Sequence, residues 1–279
     1  MIIDVHTHVF PDEIRNNREK FFSGEPEFAS IYKNSNAKMV SYEEMIEMMD
    51  EEGIDKAVIF GFPWNNLEFA KHNNDYTIEA VKKYPDRFIG LCCLNPLING
   101  ALVEMERCFK NNLKGVGEIA FYHSDITEEK INKLCGIMDL CKEYDYPFLI
   151  HTNEPVGHEY PGKVDMRLKS IYNFVKKYTE NKIILAHMGG GIFFYTLMKK
   201  EVTEVLKNVY YDTAAVPFLY KKDIYKISAE FAGEDKILFG SDYPLIKPSR
   251  YFKDIDETIR DISLNNRIKG ENARILFKL

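Results

Sequence analysis

Lys236-Ile-Leu-Phe-Gly-Ser-Asp242 is a short apolar run that closes on an acid, and it is the eighth of its kind in the chain. Working back from it, similar stretches begin near Asn208 (NVYYDT), Lys182 (KIILAH), Pro147 (PFLIH), Gly115 (GVGEIAF), Phe88 (FIGLCCL), Ala57 (AVIFGF) and Ile3 (IDVH). Near-continuous apolar runs of this length suit strands buried on both faces of a parallel sheet. After the first interval the starts recur roughly every 30 residues, the length of one strand–helix–strand unit. Helical patterns fill the intervals. Ser41-Tyr-Glu-Glu44 is a capping box ahead of Met45, Ile46, Met48 and Met49, and Gly53 stops that helix. A second pattern starts near Thr127 and carries Ile131, Leu134, Ile137, Met138 and Cys141. An open doubly wound sheet needs no eighth strand, and no G-x-G-x-x-G follows the first run. The expected fold is α/β, a (β/α)8 TIM barrel formed as a single domain by residues 1–279.

The first interval is nearly twice the length of the others. Its surplus lies in Val9 to Val40, a polar stretch that carries Phe10, Phe21, Phe22, Phe28 and Tyr32. A long aromatic-bearing loop after the first strand is expected to be a lid over the site.

Composition narrows the function. Of 279 residues, 45% are hydrophobic and 29% charged, which excludes a disordered chain, a coiled coil and a fibre. Lys and Arg number 37 against 43 Asp and Glu, a net charge of −6 that speaks against a nucleic-acid or anionic-membrane partner. The start Met-Ile-Ile-Asp-Val-His has no basic leader. His187 and Gly189–Gly191 interrupt the longest apolar stretch, Ile183–Met198, below the length of a membrane span. The five cysteines are odd in number and form no C-x-x-C pair, as expected of reduced thiols. A cytoplasmic protein acting on a small molecule is expected, its oligomeric state open.

Active sites of this fold gather where the strands end. His6 and His8 end the first run, Glu118 the fourth, His151 the fifth, His187 the sixth and Asp242 the eighth. His6 and His8 are two apart, so on a strand both face one way. His151 approaches from the opposite wall, and Asp242 from the strand beside the first in a closed barrel. Three imidazoles and one carboxylate suit a divalent metal, zinc first, then manganese, iron, cobalt or nickel. Such an ion activates bound water and polarises a carbonyl.

Asp4-Val-His-Thr-His8, Gly117-Glu118, His151-Thr-Asn-Glu154, His187-Met-Gly-Gly190 and Gly240-Ser-Asp242-Tyr-Pro244, in that order, resemble the motifs of the amidohydrolase superfamily. The nearest branch is the amidohydrolase-2 group, which includes aminocarboxymuconate-semialdehyde decarboxylase. Ile268-Lys-Gly-Glu-Asn272-Ala-Arg274-Ile-Leu-Phe277 is similar to that group's closing helix. The resemblance implies a metal on His6, His8, His151 and Asp242, with Asp242 also a proton shuttle and His187 touching the attacking water or the substrate. One ion is expected. Glu118 is either a bridge to a second ion, which would make His187 a ligand, or a group behind the ligands.

Four further residues are candidates for substrate binding. Lys163 and His158 lie in Glu154-Pro-Val-Gly-His158-Glu-Tyr160-Pro-Gly162-Lys163, which is either a binding loop or a solvated one. Arg250 suits a substrate carboxylate or a surface ion pair. Trp64, with Phe62, offers an apolar wall. Gly189–Gly191 reads as a close backbone pass rather than a phosphate cradle. The expected activity is hydrolysis of a small carbonyl compound (an amide, lactone or cyclic imide), with a metal-dependent decarboxylase or hydratase of a small carboxylic acid as the alternative. A non-catalytic metal binder and a metal-dependent nuclease fit less well.

Overall fold

All eight apolar runs form strands in the computed structural model, which describes residues 1–122 and 125–279. They are β1 (Ile3–His8), β2 (Lys56–Phe60), β3 (Phe88–Gly90), β4 (Val116–Ile119), β5 (Phe148–Ile150), β6 (Ile183–Leu185), β7 (Val209–Asp212) and β8 (Ile237–Leu238). Neighbours pair in parallel in two runs, β1-β2-β3 and β4 through β8. Backbone hydrogen bonds close both gaps. Cys92 N–H donates to Gly115 O and Gly117 N–H to Cys92 O, each at 2.9 Å. On the other side Val5 N–H donates to Phe239 O at 2.8 Å and Asp242 N–H to His6 O at 2.9 Å. The sheet is therefore a closed barrel, and its last seam runs through two of the expected metal ligands.

Strand alternation splits the apolar residues in two. Val5, Val58, Phe60, Ile89, Leu91, Leu149, Ile184 and Leu238 form one buried cluster, while Ala57, Ile59, Phe148, Ile150, Ile183 and Leu185 join the larger cluster shared with the helices. The methionines of the first expected helix belong to that larger cluster. The helix itself, Tyr42–Glu52, starts as the sequence predicts: Glu44 N–H donates to Ser41 Oγ, Ser41 N–H donates back to Glu44 Oε2, and Gly53 ends it at φ 71°. The pattern from Thr127 forms two helices, Glu128–Lys133 and Cys135–Tyr144, broken at Leu134.

The interval Val9–Val40 differs from the expected lid loop. It folds into α1 (Asp12–Asn16), a 3-10 turn (Arg18–Phe21) and α2 (Pro26–Tyr32). Phe10, Phe21, Phe28 and Tyr32 are buried with Phe62 and Trp64; ring centroids are 4.3 Å apart for Phe28–Trp64 and 5.3 Å for Phe28–Phe62. Rings packed this way bury too much apolar surface to swing freely. The interval is a cap built into the core. Glu25, fully buried, pins it: its carboxylate accepts from Asn65 N–H at 2.9 Å and from Asn66 N–H at 2.6 Å. A Glu25→Ala variant leaves those donors unmatched and is expected to lose about 2–4 kcal/mol of stability in urea unfolding. An unchanged midpoint and slope would show that the pin contributes nothing.

Candidate active site

Three of the four histidines at the mouth of the barrel are held by Nδ1 from outside the cluster, whereas His151 turns its Nδ1 onto Glu118. His6 Nδ1–H donates to Asp212 Oδ2 at 2.9 Å, His8 Nδ1–H to Gly61 O at 3.0 Å and His187 Nδ1–H to Ala214 O at 3.0 Å. A carbonyl or carboxylate partner can only accept, so Nδ1 of each of these three carries a proton and Nε2 is the atom turned inward. Asp212 does more than hold His6. Its other oxygen accepts from His187 N–H at 2.9 Å and Ala214 N–H at 3.0 Å, locking the turn that carries His187. The sequence reading passed over Asp212, although it ends the seventh run and the same strand-end rule would have found it.

The inward atoms meet around Glu118. One oxygen, Oε2, lies 3.6 Å from His6 Nε2 and 3.8 Å from His8 Nε2. The other, Oε1, lies 2.9 Å from His151 Nδ1 and 3.5 Å from His187 Nε2. Asp242 Oδ1 sits 3.8 Å from His6 Nε2 and 3.4 Å from His8 Nε2. Buried Nε2 atoms of His6 and His151 have no hydrogen-bond partner. Unpartnered buried nitrogens are costly unless something binds them, and His6 Nε2 lies between two carboxylates. The donor set fits a divalent transition ion, and His6–His8–Glu118, His6–His187–Asp242 and Glu118–His151–His187 each bring three ligand atoms within 4.8 Å. The structure thus brings together all six strand-end residues that the sequence singled out.

The local backbone is built for this convergence. Val116 and Ile119 flank a register shift in β4, and Gly117 lies at φ 142° where a Cβ would meet Leu149 O at 2.7 Å. His187 (φ 54°) and Asp242 (φ 60°) are both left-handed, a conformation that costs a non-glycine residue about 1 kcal/mol or more and recurs at functional sites. Gly189–Gly191 continue that left-handed run, and a Cβ on Gly190 would meet Asn153 O at 2.5 Å. The glycines serve close backbone packing, as the sequence suggested.

The charges sharpen one another. Burial pushes the Asp242 carboxyl up, but the His8 hydrogen bond and the His6 and His187 charges outweigh it and hold it at about 2. Burial likewise opposes ionisation of Glu118, yet the His6 and His151 charges bring it well below the ordinary carboxylate range. Below the site, Asp4 accepts from Ser241 N–H at 2.9 Å and His6 N–H at 3.2 Å and meets Ser241 Oγ at 2.5 Å. Its burial outweighs these bonds and raises its pKa to about 7. Folded Asp4 thus keeps a proton that the unfolded chain loses near 3.8, so its contribution to stability is present at low pH and is lost as pH rises through 7. An Asp4→Asn variant of the metal-stripped protein should lose that part of the decline between about pH 4 and 7 in urea titrations. The same decline in both proteins would assign it elsewhere.

The four expected substrate residues do not join this cluster. Trp64 is a core residue: it is fully buried among Phe21, Phe28, Phe62 and Phe69, with its indole N–H donated to Asn73 Oδ1 at 3.2 Å, and no face is left for a ligand. Lys163 staples its own loop, with Nζ 3.2 Å from Glu154 Oε1 and donating to Val156 O and His158 O. His158 is exposed beside Tyr160, and Arg250 is exposed in the first turn of the helix Ser249–Thr258. Two rings that the sequence reading did not single out lie against the cluster: Phe60, 4.8 Å from His8 and 5.2 Å from His6, and Tyr122. Tyr122 lies 5.7 Å from the His151 ring and is stacked at 5.9 Å on Phe62, which Tyr32 meets edge-on at 6.2 Å. Among the described residues, no helix is long and apolar enough to cross a membrane.

The chain is similar to known proteins along most of its length. The chain is 25% identical to a 2-amino-3-carboxymuconate-6-semialdehyde decarboxylase of Dictyostelium discoideum, across 97% of its own length and 90% of that protein's. It is 23% identical to a gamma-resorcylate decarboxylase of Polaromonas sp., across 84% and 86%. Its fold matches a solved dihydroxybenzoic acid decarboxylase from Polaromonas sp. JS666, with bound manganese and the inhibitor 2-nitroresorcinol, at a TM-score of 0.72, 19% identity and coverage of 100% and 97%. These relatives correct the expectation of a hydrolase of an amide, lactone or cyclic imide: both curated relatives are decarboxylases, which agrees with the alternative instead. A family model described as amidohydrolase (Amidohydro_2) matches residues 3–279, and the chain belongs to that amidohydrolase family.

Proposed function

We propose that the protein is a metal-dependent, non-oxidative decarboxylase of a small planar carboxylic acid. The observation that carries this reading is the convergence of His6, His8, Glu118, His151 and Asp242 beside a wall of aromatic rings, in a chain whose curated relatives remove CO2 from unsaturated acids. His6, His8, His151 and Asp242 would hold the ion. Manganese, named in the solved relative, is the first to test, and zinc the second. Once bound, such an ion supplies a Lewis acid for the oxygens of the substrate. The chain's own groups do the rest. Asp212 and the Gly61 and Ala214 carbonyls fix the imidazoles, and the near-complete burial of His6, Glu118 and His187 keeps water from the reacting carbon. His187 Nε2, facing Glu118 and His151, is the atom that holds a proton for the carbon that loses CO2, so that one C–C bond breaks and one C–H bond forms.

The test is CO2 release. Protein stripped with a chelator and reloaded with manganese or zinc is incubated with γ-resorcylate, related ortho-hydroxybenzoates and 2-amino-3-carboxymuconate-6-semialdehyde. Metal-dependent CO2 with stoichiometric decarboxylated product is expected from at least one acid. No CO2 from any of them, with the metal shown to be bound, overturns the reading.

One observation favours a second reading of the ion count. Glu118 turns one oxygen to His6 and His8 and the other to His151 and His187, as a carboxylate bridging two cations would. Metal titration of Glu118→Gln beside the wild type decides: two equivalents falling to one supports the bridge, and one equivalent in both places Glu118 behind a single ion.

A further inference from the structure

Of the three imidazoles held through Nδ1, His6 and His187 share one anchor. Asp212 bonds His6 directly, and its other oxygen takes the N–H of Ala214, the residue whose carbonyl holds His187. His8 has a different partner, the carbonyl of Gly61 at 3.0 Å, in the irregular segment between the end of β2 and the helix Leu67–Lys83. Asn73, 1% exposed, reaches that segment from the helix. Asparagine in mid-helix is a poor helix former and costly to bury, unless its amide finds partners. Here it finds two. Nδ2–H donates to Val9 O at 3.1 Å, and Oδ1 accepts from the Trp64 indole N–H at 3.2 Å. Val9 follows His8 in the chain, and its own N–H donates to Phe60 O at 2.9 Å. The same amide lies directly against Gly61, where a Cβ would stand 2.2 Å from Asn73 Oδ1 and 2.3 Å from its Cγ. Gly61 does not have a left-handed backbone, so the close approach of Asn73 is what requires a glycine there.

We propose that Asn73 is a positioning residue for the metal site. Its amide holds the Gly61 carbonyl where that carbonyl fixes the His8 imidazole, and its bond to Val9 holds the strand end that carries His8. Asn73 touches neither the ion nor a substrate and acts through its two neighbours. A side chain cut back to Ala at 73 leaves the Gly61 carbonyl without its backing. A Cβ added at 61 drives the same carbonyl away from the amide. Either change frees the His8 ring to turn and weakens the ion's hold. This inference rests on His8 as a metal ligand, and it is independent of the reaction that the site performs.

The probe is Mn2+ alone, titrated into chelator-stripped wild type, Asn73→Ala, Gly61→Ala, the variant carrying both, His8→Ala and Asn181→Ala. Free ion is read by its EPR signal, and the melting temperature of each protein is measured beside it. Asn181 is the control, a buried asparagine that donates to Met138 O at 2.7 Å just before β6 begins, at the opposite end of the barrel. Asn73→Ala and Gly61→Ala are each expected to raise the Kd for Mn2+ by roughly 10-fold, the low end for loss of a group behind a ligand. The two losses should not multiply, because Asn73→Ala removes the atoms that the new Cβ would strike. The combined variant is expected within about 3-fold of either single one, against roughly 100-fold for independent sites. Asn181→Ala should melt lower and keep the wild-type Kd. Wild-type Kd in Asn73→Ala overturns the positioning role, as does a fully multiplied loss in the combined variant. An equal rise in Asn181→Ala also overturns it, since the effect would then be one of stability alone. If Asn73→Ala does not fold, Gly61→Ala carries the test: the 10-fold rise supports the role and wild-type Kd overturns it. Wild-type Kd in His8→Ala removes the ligand reading and the positioning role with it, whereas weakened binding there beside unchanged Asn73→Ala and Gly61→Ala rejects the positioning role and keeps the ligand.

Discussion

A variant carrying His6→Ala and His8→Ala is expected to purify without metal and to lose turnover by on the order of 10^3-fold or more. The two imidazoles are adjacent on β1, their Nε2 atoms both face Glu118 Oε2 and Asp242 Oδ1, and each is held in one tautomer by its Nδ1 partner. Loss of even an outer partner of a metal ligand costs about 10–100-fold in affinity or activity, so loss of two ligands compounds well beyond that. Elemental analysis of the purified double variant is the check. Full metal in it would mean that the ion sits on Glu118, His151 and His187 instead, which also present three ligand atoms within 4.8 Å.

His187→Asn is expected to separate binding from chemistry. An asparagine amide at this position can still donate toward Ala214 O but holds no exchangeable proton where Nε2 stands, 3.5 Å from Glu118 Oε1. The metal should remain and kcat should fall by about 10^2- to 10^4-fold, the range for a positioned acid or base. Burial alone would lower the His187 pKa, but the Glu118 hydrogen bond and the Asp242 charge outweigh it and raise it. The pH profile of kcat should therefore lose its descending limb in the variant, since the protonated form is the active one. Equal loss of metal and rate would make His187 a ligand, and the two-ion reading of Glu118 would follow.

The cluster at the barrel mouth was legible because strand ends are a local property. An apolar run that stops on His or Asp states both where a strand is and which residue reaches its mouth, and eight such runs at regular spacing leave one closed arrangement. His6, His8, Glu118, His151, His187 and Asp242 all followed from that rule, and Asp212 would have followed had it been applied to the seventh run. The substrate wall was not legible in the same way. Trp64 and Lys163 have the chemistry of binding residues, but what a side chain does in a loop depends on which distant partners reach it first. Phe28 and Asn73 claimed the indole, while Glu154 and two carbonyls of its own loop claimed the ammonium.

The sequence by itself determined the periodicity of the barrel, the order of its strands and the six donors at its mouth, because each is encoded within a few contiguous residues. Only the tertiary structure decided that Val9–Val40 is a packed cap, that Asp212 locks two histidines at once, that Glu118 divides its oxygens between two pairs, and that Tyr122 stacks on Phe62 beside His151. Each of these joins residues from separate units of the chain, so its outcome is set by the closure of the β8–β1 seam and by competition among buried partners, which no local pattern records.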